Sequence, residues 1–183
     1  MEANRINLSA AAAAQLCPRC GLCCDSALFA DVELRAGDDA RRLRKAGLPL
    51  VKKRPGQLAF PQPCANFDGR LCRIYADRPA QCRRFECGLM QRVAAGTLTA
   101  AAAREKIAMA QRHAAQIRVL LRSLGQGDEQ LALTHRYTEA MSAPVDLADS
   151  RAPARQGRLM LAVCELMLLF QQDFLSRRDG QPF

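Results

Sequence analysis

Four cysteines stand within eight positions, at Cys17, Cys20, Cys23 and Cys24, and four more follow at Cys64, Cys72, Cys82 and Cys87; the ninth, Cys164, stands apart. Two thiols separated by two residues reach one tetrahedral metal, because a tight turn folds the backbone back and points both sulfurs the same way. Cys17-Pro18-Arg19-Cys20-Gly21 has that form. Its proline helps fix the turn, and its glycine accepts the positive φ that lets backbone N–H groups approach sulfur. Cys23 extends the series to C-x2-C-x2-C, the spacing with which a chain wraps three corners of an iron–sulfur cube. Adjacent side chains rarely point the same way, so Cys23 and Cys24 are expected to serve two different metals or to leave one thiol outside the ligand shell. With Cys64, Cys72, Cys82 and Cys87 the total suits two four-cysteine sites, and spacing does not say which thiol joins which.

Disulfides are the competing reading of an even cysteine count. A chain of 183 residues buries a core without cross-links. Its start, MEANRINLSAAAAAQL, lacks the basic-then-apolar order of a secretory leader. A reducing, cytoplasmic setting is therefore expected, where clustered thiols are metal ligands or redox groups. The apolar run LMLAVCELMLLF at 159–170 contains Glu165, and as a helix it would reach about 18 Å, short of a hydrocarbon core of about 30 Å. No membrane span is expected, and Cys164 reads as a buried, inert thiol in that helix.

All-thiolate ligation suits zinc and iron alike. No histidine neighbours the cysteines: His113 and His135 fall in helical patterns far along the chain. The C-x2-C-x2-C-C run favours an iron–sulfur cluster of the four-iron type, whereas the CPRCG knuckle favours zinc or mononuclear iron. Arg78, Arg83 and Arg84 flank the later cysteines and are candidates to donate hydrogen bonds to thiolate sulfur. Catalytic residues are not evident, since there is no glycine-rich phosphate loop and no paired carboxylate motif. Two four-thiolate sites also leave no open coordination position, so the reading leans away from an enzyme.

The chain carries a formal charge of +9. Seven basic residues and no acid occupy 41–54: Arg41, Arg42, Arg44, Lys45, Lys52, Lys53 and Arg54. This stretch is a candidate partner surface for an acidic protein or a nucleic acid. With no Trp and two Tyr in the chain, stacking on single strands is poorly provided for.

The pattern C-x2-C-x2-C-C, then a distant cysteine, then C-x-I-Y-x-x-R-P-x-x-C-R-x-F-x-C resembles the YkgJ-type cysteine-cluster family. The residues that carry it are Cys17 to Cys24, Cys64, and Cys72, Ile74, Tyr75, Arg78, Pro79, Cys82, Arg83, Phe85 and Cys87. The resemblance covers roughly residues 17–88 and implies zinc or iron chelation by eight cysteines, with an iron–sulfur cluster favoured. Flagellin lysine methylases carry a similar cysteine pattern, and a cluster-dependent protein-modifying enzyme is the third reading after an electron-transfer, cluster-handling or metal-sensing protein and a structural zinc module.

These thiols need elements to hold them. The fold class expected is α+β, mainly α: a cysteine module over 1–90 with short β-hairpins, docked on a helical bundle over 91–183. Ser9 can cap a short alanine-rich helix that Pro18 makes unlikely to continue. SALFADVEL reads as extended, and DDARRLRKAG as a short helix ending before Gly47. Pro55-Gly56 and Asp68-Gly69 mark two hairpin turns, of which the second brings Cys64 and Cys72 alongside each other. Pro79 suits the first turn of a helix carrying Cys82. Cys87, about 140° round from Cys82 on a continuous helix, joins it only if that helix ends between them, with Gly88 placed to end it. Beyond residue 91 three helices are expected: one from Thr99 to Gly125, a second from Asp128 and a third opening near Pro153. Their apolar stripes, Ile107 to Leu121 and Leu159 to Phe174, predict an antiparallel bundle.

Overall fold

Residues 11–144 and 149–175 are described by the structure, a computed structural model. Residues 11–14 are helical and lead into α1 (Cys17–Cys20), which is followed by β1 (Asp31–Glu33), α2 (Ala40–Lys45), β2 (Val51–Arg54) and β3 (Gln57–Pro61). A single 3-10 turn at Tyr75–Asp77 precedes α3 (Ala80–Arg84), α4 (Gly88–Ala94), α5 (Ala100–Ser123), α6 (Leu133–Ser142) and α7 (Ala152–Leu169), and α7 runs on into a π turn at Phe170–Phe174. The fold is α+β, mainly α, with a three-stranded antiparallel sheet of order β1-β3-β2.

Pro55 and Gly56 close the β2–β3 hairpin, with Gly56 at φ +74°. The pairs Val32 with Phe60 and Lys52 with Leu58 set the register. β2 is exposed along its whole length, whereas β3 buries Ala59 and Phe60. α2 starts at Asp39, whose carboxylate accepts from Arg42 N at 2.9 Å, and buries Leu43 alone.

The C-terminal half follows from helical periodicity. Thr99 Oγ accepts from Ala102 N at 3.2 Å and opens α5. Ala103, Ile107, Ala110, Ala114, Ile117 and Leu121 recur every three or four residues on its buried face. The alanines in that stripe let α7 approach closely with Leu159, Ala162 and Leu166. The two helices run antiparallel, because Lys106 reaches Asp173 and His113 reaches Glu165. Buried Arg136 on α6 donates to Gln126 O through Nη2 at 2.6 Å and Nε at 3.2 Å, which fixes the α5–α6 connection.

Two apolar cores result. The larger draws Leu16, Leu22 and Leu28 from the N-terminal segment together with Leu89 and Val93 of α4 and the buried faces of α5, α6 and α7. The smaller comprises Val32, Leu43, Leu48, Phe60 and Cys64.

Several local expectations are corrected. The end of the alanine-rich helix ahead of Pro18 is as expected, at residue 14; Pro18 itself sits in the first turn of the separate α1, where its missing N–H has no partner to lose. The segment 26–34 is extended only at β1, since Asp25 turns the chain through its carboxylate to Ala27 N at 2.9 Å. Asp128 accepts from Gln130 N at 2.9 Å in a local turn, and that competing bond delays α6 to Leu133. Gly88 starts α4 and does not end α3, which stops at Arg84. Cys164 is exposed, because the stripe Leu159, Ala162, Leu166 and Phe170 turns the opposite face of α7 outward with Leu161 and Leu168. The proposed Ser9 cap lies outside the described residues.

Asp173 is 4% exposed and accepts from Arg92 Nη1 at 2.9 Å and Lys106 Nζ at 2.7 Å, joining α4, α5 and the π turn. Asp173→Ala should lower unfolding free energy by about 2–3 kcal/mol in a denaturant titration; the two cations are partly exposed and regain water, which keeps the loss below that of a fully buried pair. Leu161→Ser, on the outward face of α7, should stay within about 0.5 kcal/mol of wild type.

Candidate metal centre

α1 presents Cys17 and Cys20 one turn apart and ends at Gly21, which takes φ +73°. Cys24 N and Asp25 N both donate to Gly21 O, at 2.7 and 2.9 Å. That tight reversal sends the next two thiols into different surroundings: Cys23 packs on the larger core and Cys24 on the smaller. A Cβ on Gly21 would lie 2.5 Å from Phe67 Cζ, so the phenyl ring covers the turn directly.

The second cysteine segment is laced to the first. Cys64 N donates to Cys24 O at 2.8 Å, and Phe67 N donates to Cys64 O at 2.9 Å. The Asp68-Gly69 turn forms as expected, with Asp68 Oδ1 accepting from Arg70 N and Leu71 N and Gly69 at φ +91°. It returns the chain as one antiparallel bridge between Phe67 and Cys72, shorter than the expected hairpin.

Cys82 lies on α3, whose start is held by Asp38 Oδ1 accepting from Ala80 N at 2.8 Å. Phe85 then leaves the helix and meets Phe29 edge-on, with ring centroids 5.0 Å apart. Cys87 immediately precedes α4, and its carbonyl accepts from Gln91 N at 3.1 Å. Gly88 has no room for a side chain, since a Cβ there would stand 2.7 Å from Asp173 O. Cys82 and Cys87 thus lie on either side of the helix break that the spacing called for.

Cys17, Cys23, Cys24, Cys64, Cys72 and Cys82 line one cavity of about 120 Å³, walled by phenylalanines that include Phe29, Phe60 and Phe67. Cys20 and Cys87 pack against the larger core. All eight are free thiols.

Burial pushes the Cys20 thiol up to about 12, with Cys87 and Cys17 adding to the rise. Cys82 is pushed up to about 12 by burial and then by Cys64. Burial likewise holds Cys23 well above its ordinary value and raises Cys24, whose next contributors are Cys64, Cys82 and Cys72. Cys64 and Cys87 are raised by burial too. Backbone N–H groups oppose the rise: Leu22 for Cys20, Asn66 and Phe67 for Cys64, and Met90 and Leu89 for Cys87. Packed thiols that resist ionising together, yet already receive N–H donors aimed at sulfur, form a donor set suited to a cation that neutralises them as thiolates. As they stand, no three His, Cys, Asp or Glu side chains among the described residues form a group that could hold a metal ion. Ligation therefore requires the sulfurs to draw closer together.

Carboxylates at the cavity rim are engaged elsewhere: Asp31 pairs with Lys53, and Glu33 with Lys53 and Arg54. Arg78 lines the cavity, donates Nε to Tyr75 O at 2.8 Å and lies 3.6 Å above the Tyr75 ring, and its charge favours the Cys82 thiolate. Arg83 and Arg84 are exposed and do not line the cavity. Of the seven basic residues in 41–54, Arg42 pairs with Asp77, and Lys53 and Arg54 pair with the β1 carboxylates; Arg41, Arg44, Lys45 and Lys52 are exposed. His113 and His135 lie away from the cavity, beside Glu165 and Glu139. Nothing in the residue pattern marked Phe67 as the cover of the Gly21 turn, nor Gln62, which is 2% exposed, lines the cavity and has no hydrogen-bond partner for Oε1 among the described residues. Both lie between cysteines that drew attention to themselves.

A family model, CxxCxxCC, described as "Putative zinc- or iron-chelating domain", matches residues 16–111, just over half of the chain. Neither a curated protein nor a solved structure matches it.

The Gly21–Phe67 contact is testable against a glycine of like backbone. Gly56 has φ +74° with nothing within 4 Å of an added Cβ, so Gly56→Ala should cost only backbone strain, about 1 kcal/mol. Gly21→Ala adds displacement of the Phe67 ring and should cost at least about 1 kcal/mol more in thermal or denaturant unfolding of the metal-free protein.

Proposed function

The chain belongs to the CxxCxxCC family, and from that membership we propose that it is a metal-binding protein that carries an iron–sulfur cluster on its clustered cysteines and serves electron transfer, cluster handling or metal sensing. The observation that carries the reading is the gathering of eight buried or half-buried free thiols, six of them around one apolar-walled cavity and Cys20 and Cys87 on the adjoining core, with backbone N–H groups directed at sulfur. Thiolates under apolar cover, reached by N–H donors, are the setting in which proteins hold and tune such clusters. The absence of histidine from the cavity lining agrees with all-sulfur ligation. The metal-binding module, residues 1–90, would rest on the bundle of residues 91–183, and Arg78, stacked on Tyr75, would offset negative charge at the Cys82 end.

A second reading is a structural zinc module that presents a basic surface. What favours it is the exposed set Arg41, Arg44, Lys45 and Lys52, none of them in an ion pair among the described residues. Such a surface would attract an acidic protein or a nucleic acid, with affinity that falls as salt rises.

Protein purified without oxygen should be brown and contain iron and acid-labile sulfide; colourless protein with stoichiometric zinc would refute the cluster and leave the zinc module. Cys17→Ser and Cys20→Ser should each lower metal content on elemental analysis, whereas Cys164→Ser, altering a thiol on the outward face of α7, should leave it unchanged.

A further inference from the structure

Resting on the metal-binding reading, we infer that the eight thiols make two separate four-cysteine sites, divided between Cys23 and Cys24: one of Cys17, Cys20, Cys23 and Cys87, the other of Cys24, Cys64, Cys72 and Cys82.

Packing separates them first. Cys20, Cys23 and Cys87 rest on the core shared with the helical bundle, whereas Cys24, Cys64 and Cys82 belong to the small core around Phe60. Backbone bonding then ties each set internally. Cys17 and Cys20 share α1. In the other set Cys64 N donates to Cys24 O, Phe67 N donates to Cys64 O, and Phe67 bridges to Cys72. The Asp68-Gly69 turn therefore carries Cys72 back toward the thiols of its own set.

Cys17 and Cys23 also line the cavity that Cys24, Cys64, Cys72 and Cys82 line, so the boundary between the two sets runs across that cavity.

The two sites differ in what supports them. Gln111 of α5 donates to Cys20 O at 2.8 Å, and Arg118 of α5 pairs with Asp25 at 3.1 Å, so the first site leans on the bundle. The second is enclosed by the sheet, α2 and α3, with Arg78 beside it.

Thiol protection in the reduced full-length protein tests the division without relying on variants. Zinc is added anaerobically in steps, free thiols are alkylated with N-ethylmaleimide, and protected cysteines are mapped by peptide mass spectrometry. At saturation two zinc ions should bind, and at one equivalent protection should appear in the sets 17/20/23/87 and 24/64/72/82. A single bound zinc, or a protected set that joins Cys20 with Cys64, overturns the proposal. In paired variants read by the visible bands of bound cobalt(II), Cys20→Ser with Cys87→Ser should retain one equivalent, as should Cys64→Ser with Cys72→Ser. Cys20→Ser with Cys64→Ser should retain none at tetrahedral four-sulfur strength, and retention of a full site there also overturns the proposal. Zinc-loaded native protein with this protection pattern would refute the iron–sulfur reading alone. Iron–sulfur protein with mixed sets would refute the division alone.

Discussion

The reversal at Gly21 governs how the cysteines are distributed. A residue with a side chain resists φ +73°, and here the ring of Phe67 fills the place a Cβ would take. Because two successive N–H groups close onto Gly21 O, Cys23 and Cys24 leave the turn toward different cores. Four cysteines in eight positions would otherwise compete for one point in space. The turn converts crowding along the chain into separation across it, and Phe67 links that turn to the Cys64–Cys72 loop that must meet Cys24.

Burying thiols side by side has an energetic consequence that points to a bound cation. Cys23, Cys24 and Cys82 are held toward the neutral thiol by loss of water first and by their neighbours' charge second. A folded chain with only protons on these sites contains a largely apolar cavity and several N–H groups facing weak acceptors. Replacing protons by a multivalent cation turns every one of those features into an interaction that favours the folded state, which is why metal binding and folding are coupled in modules of this size. The small core around Phe60 has few apolar members, so the second cysteine set stands to depend on such a cation more than the first, which leans on the bundle.

Much of the architecture was legible in the sequence because it rests on local chemistry. Thr99 caps α5, Pro55-Gly56 and Asp68-Gly69 turn where turn residues dictate, and the stripe from Ile107 to Leu121 faces the core. The α+β, mainly α class followed from those signals. What escaped was decided by tertiary context. Cys164 lies in an apolar run, but α7 is apolar on more faces than it buries, and only packing on α5 selects Leu159, Ala162 and Leu166. The start of α6 moved for a local reason instead, since the Asp128 carboxylate accepts from Gln130 N in a turn. At the candidate site the cysteines announced themselves, whereas their grouping depends on which core each thiol touches, a relation between residues as far apart as Cys20 and Cys87 that no spacing rule encodes.

Gly88 shows how the two halves are joined at the site. It opens α4 directly after Cys87, and the carbonyl of Asp173 lies where its Cβ would be. The same Asp173 draws in Arg92 of α4 and Lys106 of α5 through its carboxylate. The π turn that ends α7 therefore presses on the backbone next to a candidate ligand while its side chain fastens the two helices that flank it. Movement of α7 against α5 would shift Cys87 relative to Cys20, because Cys20 O is held by Gln111 of α5 and Cys87 by the α4 start. The bundle is thus in mechanical contact with the first cysteine set at two points, through Gln111 on Cys20 and through Asp173 and Gly88 beside Cys87.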